Sequence, residues 1–366
     1  MKFIHAANLK LNRVPVPDAP EADAVSVREE DFLKLLQAVQ NLAADALFLT
    51  GNLFDHVPTA KELSALDRLF LPLSARVFIL PGELDADEDT EAVRSHIWKS
   101  HTKVFAGDAI DRVYVARWET EITCVGYTKK NYSLVSSGRI MPGARDSMKI
   151  LLLPFIGESR DALLTAEMPG RLPYDYAGVG QTLAVAGSAA YPLYGPGDFE
   201  PEDFSGQQLH GFILGELARG ADGAARLSVR MIRNAKREYR ILKLPVRWDS
   251  DFQEVCVSLS DRISESGPEN IYRVILDGAV PPALFYRKEE LKRFGHITQI
   301  LDGATEEGLF QAVRTHGAPD LPGRLIRLYQ KENSGISEKA FRYALEALLH
   351  TYDLVGVNDR RRREKW

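Results

Sequence analysis

The chain has 366 residues, 45% of them apolar and 27% charged, and carries a net charge of −5. That length exceeds what one hydrophobic core usually fills, so two or three domains are expected, with the composition of an ordinary globular protein rather than a disordered or fibrous one. The negative balance excludes a uniformly basic nucleic-acid binder but not a local basic patch, no apolar run is long enough for a membrane span, and two distant cysteines, Cys124 and Cys256, make no disulfide framework and favour a reducing cytoplasm.

The opening residues 1–7 turn polar too soon for a signal sequence and read instead as a strand. Residues 12–26, rich in Pro, Asp and Ala, read as a loop. From 27 to 44, Phe32, Leu35, Leu36, Val39 and Leu42 recur at helical spacing. A strand over 46–50, a helix over 60–71 and a strand over 77–80 complete an alternation typical of a parallel α/β sheet. His96 and His101 stand five apart, which is not the helical spacing of metal ligands, so surface or packing roles are expected. Short strands follow at 113–117, 121–127, 149–153, 176–179 and 182–188, then at 210–216 and 225–232 to close a second sheet. Gly195-Pro-Gly197 lacks the Gly-Lys-Ser/Thr ending of a phosphate loop. A strand over 237–244, a helix over 252–264 and a strand over 270–278 follow. The last sixty or so residues read as helices over 306–316, 322–331 and 337–352 and a basic tail over 359–366.

Three phrases end apolar runs on small or polar residues: Phe3-Ile-His-Ala-Ala-Asn-Leu-Lys-Leu11, Leu49-Thr-Gly-Asn-Leu-Phe-Asp55 and Leu80-Pro-Gly-Glu-Leu-Asp85. Parallel strands ending this way deliver side chains to one rim of a sheet, where α/β proteins bind ligands. In order and spacing the phrases resemble the successive motifs of calcineurin-like metallophosphoesterases, especially the SbcD and YhaO group of DNA-repair exonuclease subunits, over about residues 1 to 300. The resemblance implies an α/β two-sheet sandwich flanked by helices, with a small α+β cap and a helical C-terminal region. Expected boundaries are a core over 1–240, a cap over 241–303 and a partner-binding region over 304–366.

That family holds two Mn or Mg ions with Asp, His and Asn ligands, and this chain changes them. Asn8 and Lys10 stand at the Asp and His of the first motif, Asn52 at the bridging Asp, Glu83 and Leu84 at Asn-His, Pro154 at a lone His, and Gln181 and Leu183 in the Gly-His-x-His motif. The loop that separates this motif from the next in the family is also shortened here. Two ions about 4 Å apart need several carboxylates and neutral imidazoles. Lysine brings a cation, Leu and Pro bring no side-chain lone pair, and neutral amides bind hard ions weakly. No cofactor is therefore expected. Lys10 and Glu83 are expected to pair at the rim in place of the metals, Asp55 and Asp85 to cap turns or support the rim from behind, and His5 to be packed rather than ligating.

The resemblance implies a pseudo-phosphoesterase acting as a scaffold or DNA-contacting subunit of an SbcC-type coiled-coil ATPase in DNA repair, with homodimerisation left open. The alternative is a phosphodiesterase or exonuclease with one metal held by Glu83, Asn8, Asn52 and His5. Arg287, Lys288, Lys292 and Arg293 are the DNA-contact candidates, against the plainer reading of a solvated face shared with Glu289 and Glu290. Phe341, Leu345, Leu348 and Leu349 lie on an apolar stripe suited to a partner coiled coil or to the chain's own cap.

Overall fold

A computed structural model describes residues 1–11, 21–85, 92–105, 110–126, 140–143, 145–154, 173–180, 187–188, 192–202, 204, 209–247, 250–278, 284, 287–302, 324–325 and 344. Two compact units divide the chain, Met1–Glu238 and Tyr239–Trp366. Both are mixed α/β.

The first unit begins with β1 (Lys2–Ala7), α1 (Glu21–Asn41), β2 (Ala46–Gly51), α2 (Ala60–Phe70), β3 (Arg76–Pro81), α3 (Ala92–Ser95) and β4 (Thr102–Val104). Strands β1 to β4 run parallel to their neighbours, and β10 (Gly211–Arg219) and β11 (Ala225–Arg233) extend the β1 edge antiparallel, in the order β11-β10-β1-β2-β3-β4. A second sheet orders β5 (Ile110–Val115), β6 (Thr120–Val125), β7 (Met148–Leu153), β8 (Tyr176–Val179) and β9 (Leu193–Tyr194), all parallel after the β5–β6 hairpin.

Strand alternation builds the layers. Ile4, Leu47, Leu49, Val77 and Ile79 pack with Phe32, Leu35 and Val39 of α1 and Leu63, Leu66 and Phe70 of α2. The opposite set, Phe3, Phe48, Phe78 and Leu80, packs against Ile122, Ile150, Leu152 and Tyr176 of the second sheet. Because both faces of the parallel strands are covered, their sequences are continuous apolar runs. The two sheets therefore lie face to face, with helices outside the first. Helix α2 starts with a capping box in which Thr59 and Glu62 satisfy each other's backbone N–H. Helix α1 begins at Glu21, so the loop expected to run to residue 26 ends earlier; Glu, Ala and Asp favour the first turn of a helix, and the proline-rich stretch precedes it.

In the second unit β12 (Tyr239–Val246), β13 (Ile271–Gly278) and β14 (His296–Asp302) form an all-parallel sheet in sequence order. Parallel neighbours need a crossover, supplied between β12 and β13 by α4 (Phe252–Ser266), capped by Asp251 and Glu254 and packing Val255, Leu259 and Ile263 on the sheet. This makes the described part of the unit α/β where an α+β arrangement was expected. A 3-10 segment, Lys288–Phe294, precedes β14. The expected helices over 306–316, 322–331 and 337–352, with Phe341, Leu345, Leu348 and Leu349, lie outside the described residues apart from helical Arg324, Leu325 and Ala344. Among the described residues no helix is long and apolar enough to cross a membrane, and both cysteines are free and buried.

Candidate functional site

The ends of β1, β2 and β3 meet at one rim because the three strands are parallel neighbours in register. Beyond the strands the chain segments continue side by side: Asn8 N–H donates to Thr50 O at 3.0 Å, Lys10 N–H to Asn52 O at 3.1 Å and Leu11 N–H to Leu53 O at 2.8 Å. Asn8, nearly buried, accepts at Oδ1 from the Asn52 backbone N–H at 3.0 Å, and Asn52 accepts at its own Oδ1 from the Leu84 N–H at 2.9 Å. One strand end is thereby stitched to the next. Below this line Asp85 takes three backbone donors, Leu53 at 2.7 Å, Phe54 at 2.8 Å and Gly82 at 3.1 Å. Burial pushes its carboxyl up to about 7, against the three N–H donors that hold it down.

The second sheet closes on the same rim. A Cβ on Gly180, just past β8, would lie 2.3 Å from Gly51 N and 2.6 Å from Pro154 O. Asn8, Gly51, Asn52, Gly82, Pro154 and Gly180 thus converge at close backbone contact. Leu84 and Glu83 sit at this rim with exposed side chains, while Gln181 and Leu183 lie outside the described residues.

Lys10 departs from expectation. Its side chain turns inward, with Nζ 2.8 Å from Glu202 Oε1 and 3.5 Å from Asp198 Oδ1, whereas Glu83 faces solvent. The expected Lys10–Glu83 pair is therefore replaced by one to the segment after β9. Local backbone geometry explains the turn: Asn8 and Lys10 adopt φ of 48° and 45°, in the left-handed region, so strand alternation no longer sets where Lys10 points. Asn8 also hydrogen-bonds Asp198, whose carboxyl burial pushes up to about 6 while Lys10 pulls it down. Arg28 of α1 donates to Leu9 O at 3.0 Å and Lys10 O at 3.5 Å. Sequence reasoning missed Asp198 and Glu202, although Gly-Asp-Phe-Glu-Pro-Glu202 is an acidic run inside an otherwise apolar loop.

No protein-family model matches the chain, and no curated protein matches it.

His5 lies in the core between the sheets as expected, Nδ1 2.7 Å from Tyr176 Oη and Nε2 2.7 Å from Thr50 Oγ1. With both ring nitrogens engaged and the residue fully buried, His5 is not placed to bind a ligand at the rim. His56 is exposed and bonded to Asp55 and Glu62, which raise its pKa, Asp55 foremost. His96 packs edge-on against Trp98.

The four DNA-contact candidates of the second unit lie on the 3-10 segment and just before it. Arg287 grips Glu290 through two bonds of 2.8 and 2.9 Å and stacks 3.7 Å over the Phe252 ring. Lys292 pairs with Glu289 at 2.9 Å. Arg293 lies over Phe294. Arg287 and Lys292 are therefore already matched by neighbouring glutamates, which lowers the net positive field of this segment.

Proposed function

We propose that this chain is a non-catalytic, SbcD-like subunit of metallophosphoesterase-like fold, acting as a scaffold or DNA-contacting partner of an SbcC-type coiled-coil ATPase in DNA repair. The observation that carries the reading is the use made of the rim's lone pairs. Asn8 and Asn52 turn their side-chain oxygens onto backbone N–H groups, and Lys10 spends its charge on Asp198 and Glu202.

The two divalent ions of that family do not fit these residues. An ion displacing the Asn52 N–H from Asn8, or the Leu84 N–H from Asn52, would leave a backbone donor unpaired at a cost of about 1–3 kcal/mol each, in exchange for a neutral ligand. Leu84 and Pro154 offer no side-chain donor at all. A single-metal hydrolase built on Glu83, Asn8, Asn52 and His5 is disfavoured by the same geometry, since His5 is sealed in the core with both nitrogens bonded.

The test is incubation of the full chain with Mn²⁺ and labelled single- and double-stranded DNA. The expected result is binding that weakens with salt and no cleavage above that of a Glu83→Ala, Asn52→Ala chain. Robust cleavage that this double variant abolishes overturns the reading.

A further inference from the structure

Two carboxyl groups meet in the interior of the first unit. Asp31 of α1 is fully buried and Glu200, in the segment after β9, is 4% exposed; their side chains are hydrogen-bonded to each other. Two ionised carboxylates cannot share a hydrogen bond, because neither has a donor until one of them takes up a proton. The surroundings decide which one does. Asp31 Oδ1 accepts from the Lys34 ammonium and Oδ2 from the Lys236 backbone N–H at 2.9 Å, so both of its oxygens are used as those of an anion. Glu200 Oε1 is buried with no donor against it. An ionised Glu200 would hold its charge out of water without the hydrogen bonds that make such a charge tolerable.

From this geometry we infer that Glu200 is a protonated carboxylic acid donating to the Asp31 carboxylate, and that this one proton latches the 198–202 segment to α1. The same segment supplies Asp198 and Glu202 to Lys10, so the latch also fixes the lysine that follows β1. Its other end is tied by His210 Nδ1, bonded to the Asp198 backbone oxygen at 3.0 Å. The remaining charges around the pair come from α1 and from the segment after β11. Arg28 offsets negative charge at Glu200, whereas Glu238, paired with Arg233 at 3.4 Å and His210 at 3.8 Å, adds to it. Lys236 Nζ turns away to Glu30 at 3.3 Å. Burial first, then the Asp31 charge, pushes the Glu200 carboxyl well above its ordinary 4.5, against the pull of Arg28. Folding therefore takes up a proton at any pH between 4.5 and the folded value. The stability this contributes is complete below 4.5 and is lost as pH rises through the folded value. The inference is independent of any role in nucleic-acid binding.

The experiment compares the full chain with Glu200→Gln, whose amide keeps a donor for Asp31 at every pH. Infrared difference spectra at pH 7 should show the C=O band of one protonated carboxylic acid in the unaltered chain that Glu200→Gln lacks. Urea unfolding from pH 5 to pH 9 follows stability. The folding equilibrium constant of the unaltered chain, divided by that of Glu200→Gln, should fall by up to about tenfold per pH unit until Glu200 ionises. Over the same range hydrogen exchange at the amides of 198–202 should quicken in the unaltered chain relative to Glu200→Gln at equal pH. A constant ratio of folding constants, equal exchange in the two chains, or the absence of an acid band that Glu200→Gln removes overturns the inference. If Glu200→Gln does not fold, Asp31→Asn takes its place. Without the neighbouring anion the acid band must vanish at a lower pH than in the unaltered chain, and a band that persists to the same pH overturns the inference.

Discussion

His5 Nδ1 and Tyr176 Oη stand 2.7 Å apart and join the two sheets of the first unit through their shared core. On its other side the same ring is bonded to Thr50, so one imidazole closes three hydrogen-bonding groups away from water. Burial lowers the His5 pKa from 6.5 to about 3. The sign follows from where the proton binds. Above pH 6.5 neither folded nor unfolded His5 is charged, and the shift contributes nothing. Between pH 6.5 and 3 the unfolded chain takes a proton that the folded chain refuses, so stability falls with acid by about 1.4 kcal/mol per pH unit. His5→Gln removes this penalty while weakening the core bonds. Urea unfolding should find the variant less stable at pH 7, with the gap to the unaltered chain narrowing by about 2 kcal/mol at pH 5. An unchanged gap would show that His5 is protonated in the folded state.

Asp85 binds the loops after β2 and β3 through the three backbone donors of Leu53, Phe54 and Gly82. A carboxylate can accept all three with two oxygens; the amide of Asp85→Asn offers one oxygen and brings two hydrogens that face donors. At least one buried N–H then goes unpaired. The expected loss is about 2–3 kcal/mol in unfolding free energy, measured as a lower denaturant midpoint at unchanged slope. A loss under about 0.5 kcal/mol would mean that the loop relaxes around the amide.

How much of this was readable in advance depends on how local each feature is. The parallel strands and their common rim were legible because doubly covered strands are apolar throughout and end abruptly at Asn8, Gly51 and Gly82. The partners of Lys10 were not, since pairing over a long sequence separation leaves no spacing to read, and Glu83 was the nearest carboxylate in the motif. The left-handed turn at Asn8 and Lys10 is a backbone choice that residue alternation does not encode. Strand β14 escaped for a similar reason: its buried Ile297 and Ile300 are three apart rather than two, and a register shift at Tyr272 and Arg273 in β13 accommodates the mismatch. The start of α1 was hidden by the proline-rich stretch before it.

Gly51 tests the closeness of the two sheets at the rim. It holds φ of 74°, and a Cβ there would lie 2.3 Å from Asn8 Oδ1 and 2.8 Å from Gly180 O. Gly223 holds a similar φ of 76° with nothing within 4 Å. Alanine at Gly223 should therefore cost only the left-handed backbone, about 1–2 kcal/mol. Alanine at Gly51 adds overpacking of about 1–3 kcal/mol to the same backbone cost. Paired denaturant curves measure the difference directly. Equal losses at the two positions would mean that the rim opens without strain and that Asn8 is not fixed there.

The second unit offers a test of nucleic-acid contact that adds charge without adding a cation. Glu289 and Glu290 hold Lys292 and Arg287 at 2.9 and 2.8 Å on an exposed segment. If this segment meets a phosphate backbone, Glu289→Gln with Glu290→Gln releases both cations for phosphate and removes two repelling charges. Affinity for DNA should then rise, and the dependence of log affinity on log salt should steepen by roughly 0.9 for each new phosphate contact, about 1.8 for two. Lys288→Gln with Arg293→Gln should move both quantities the other way. The comparison is made by fluorescence anisotropy on one labelled duplex across a salt series. Stability serves as the control, because exposed pairs of this kind contribute little to folding, and both double variants should unfold at nearly the same midpoint as the unaltered chain. If affinity and slope stay fixed in both variants, the segment is a solvated face, and any DNA contact of the chain lies elsewhere.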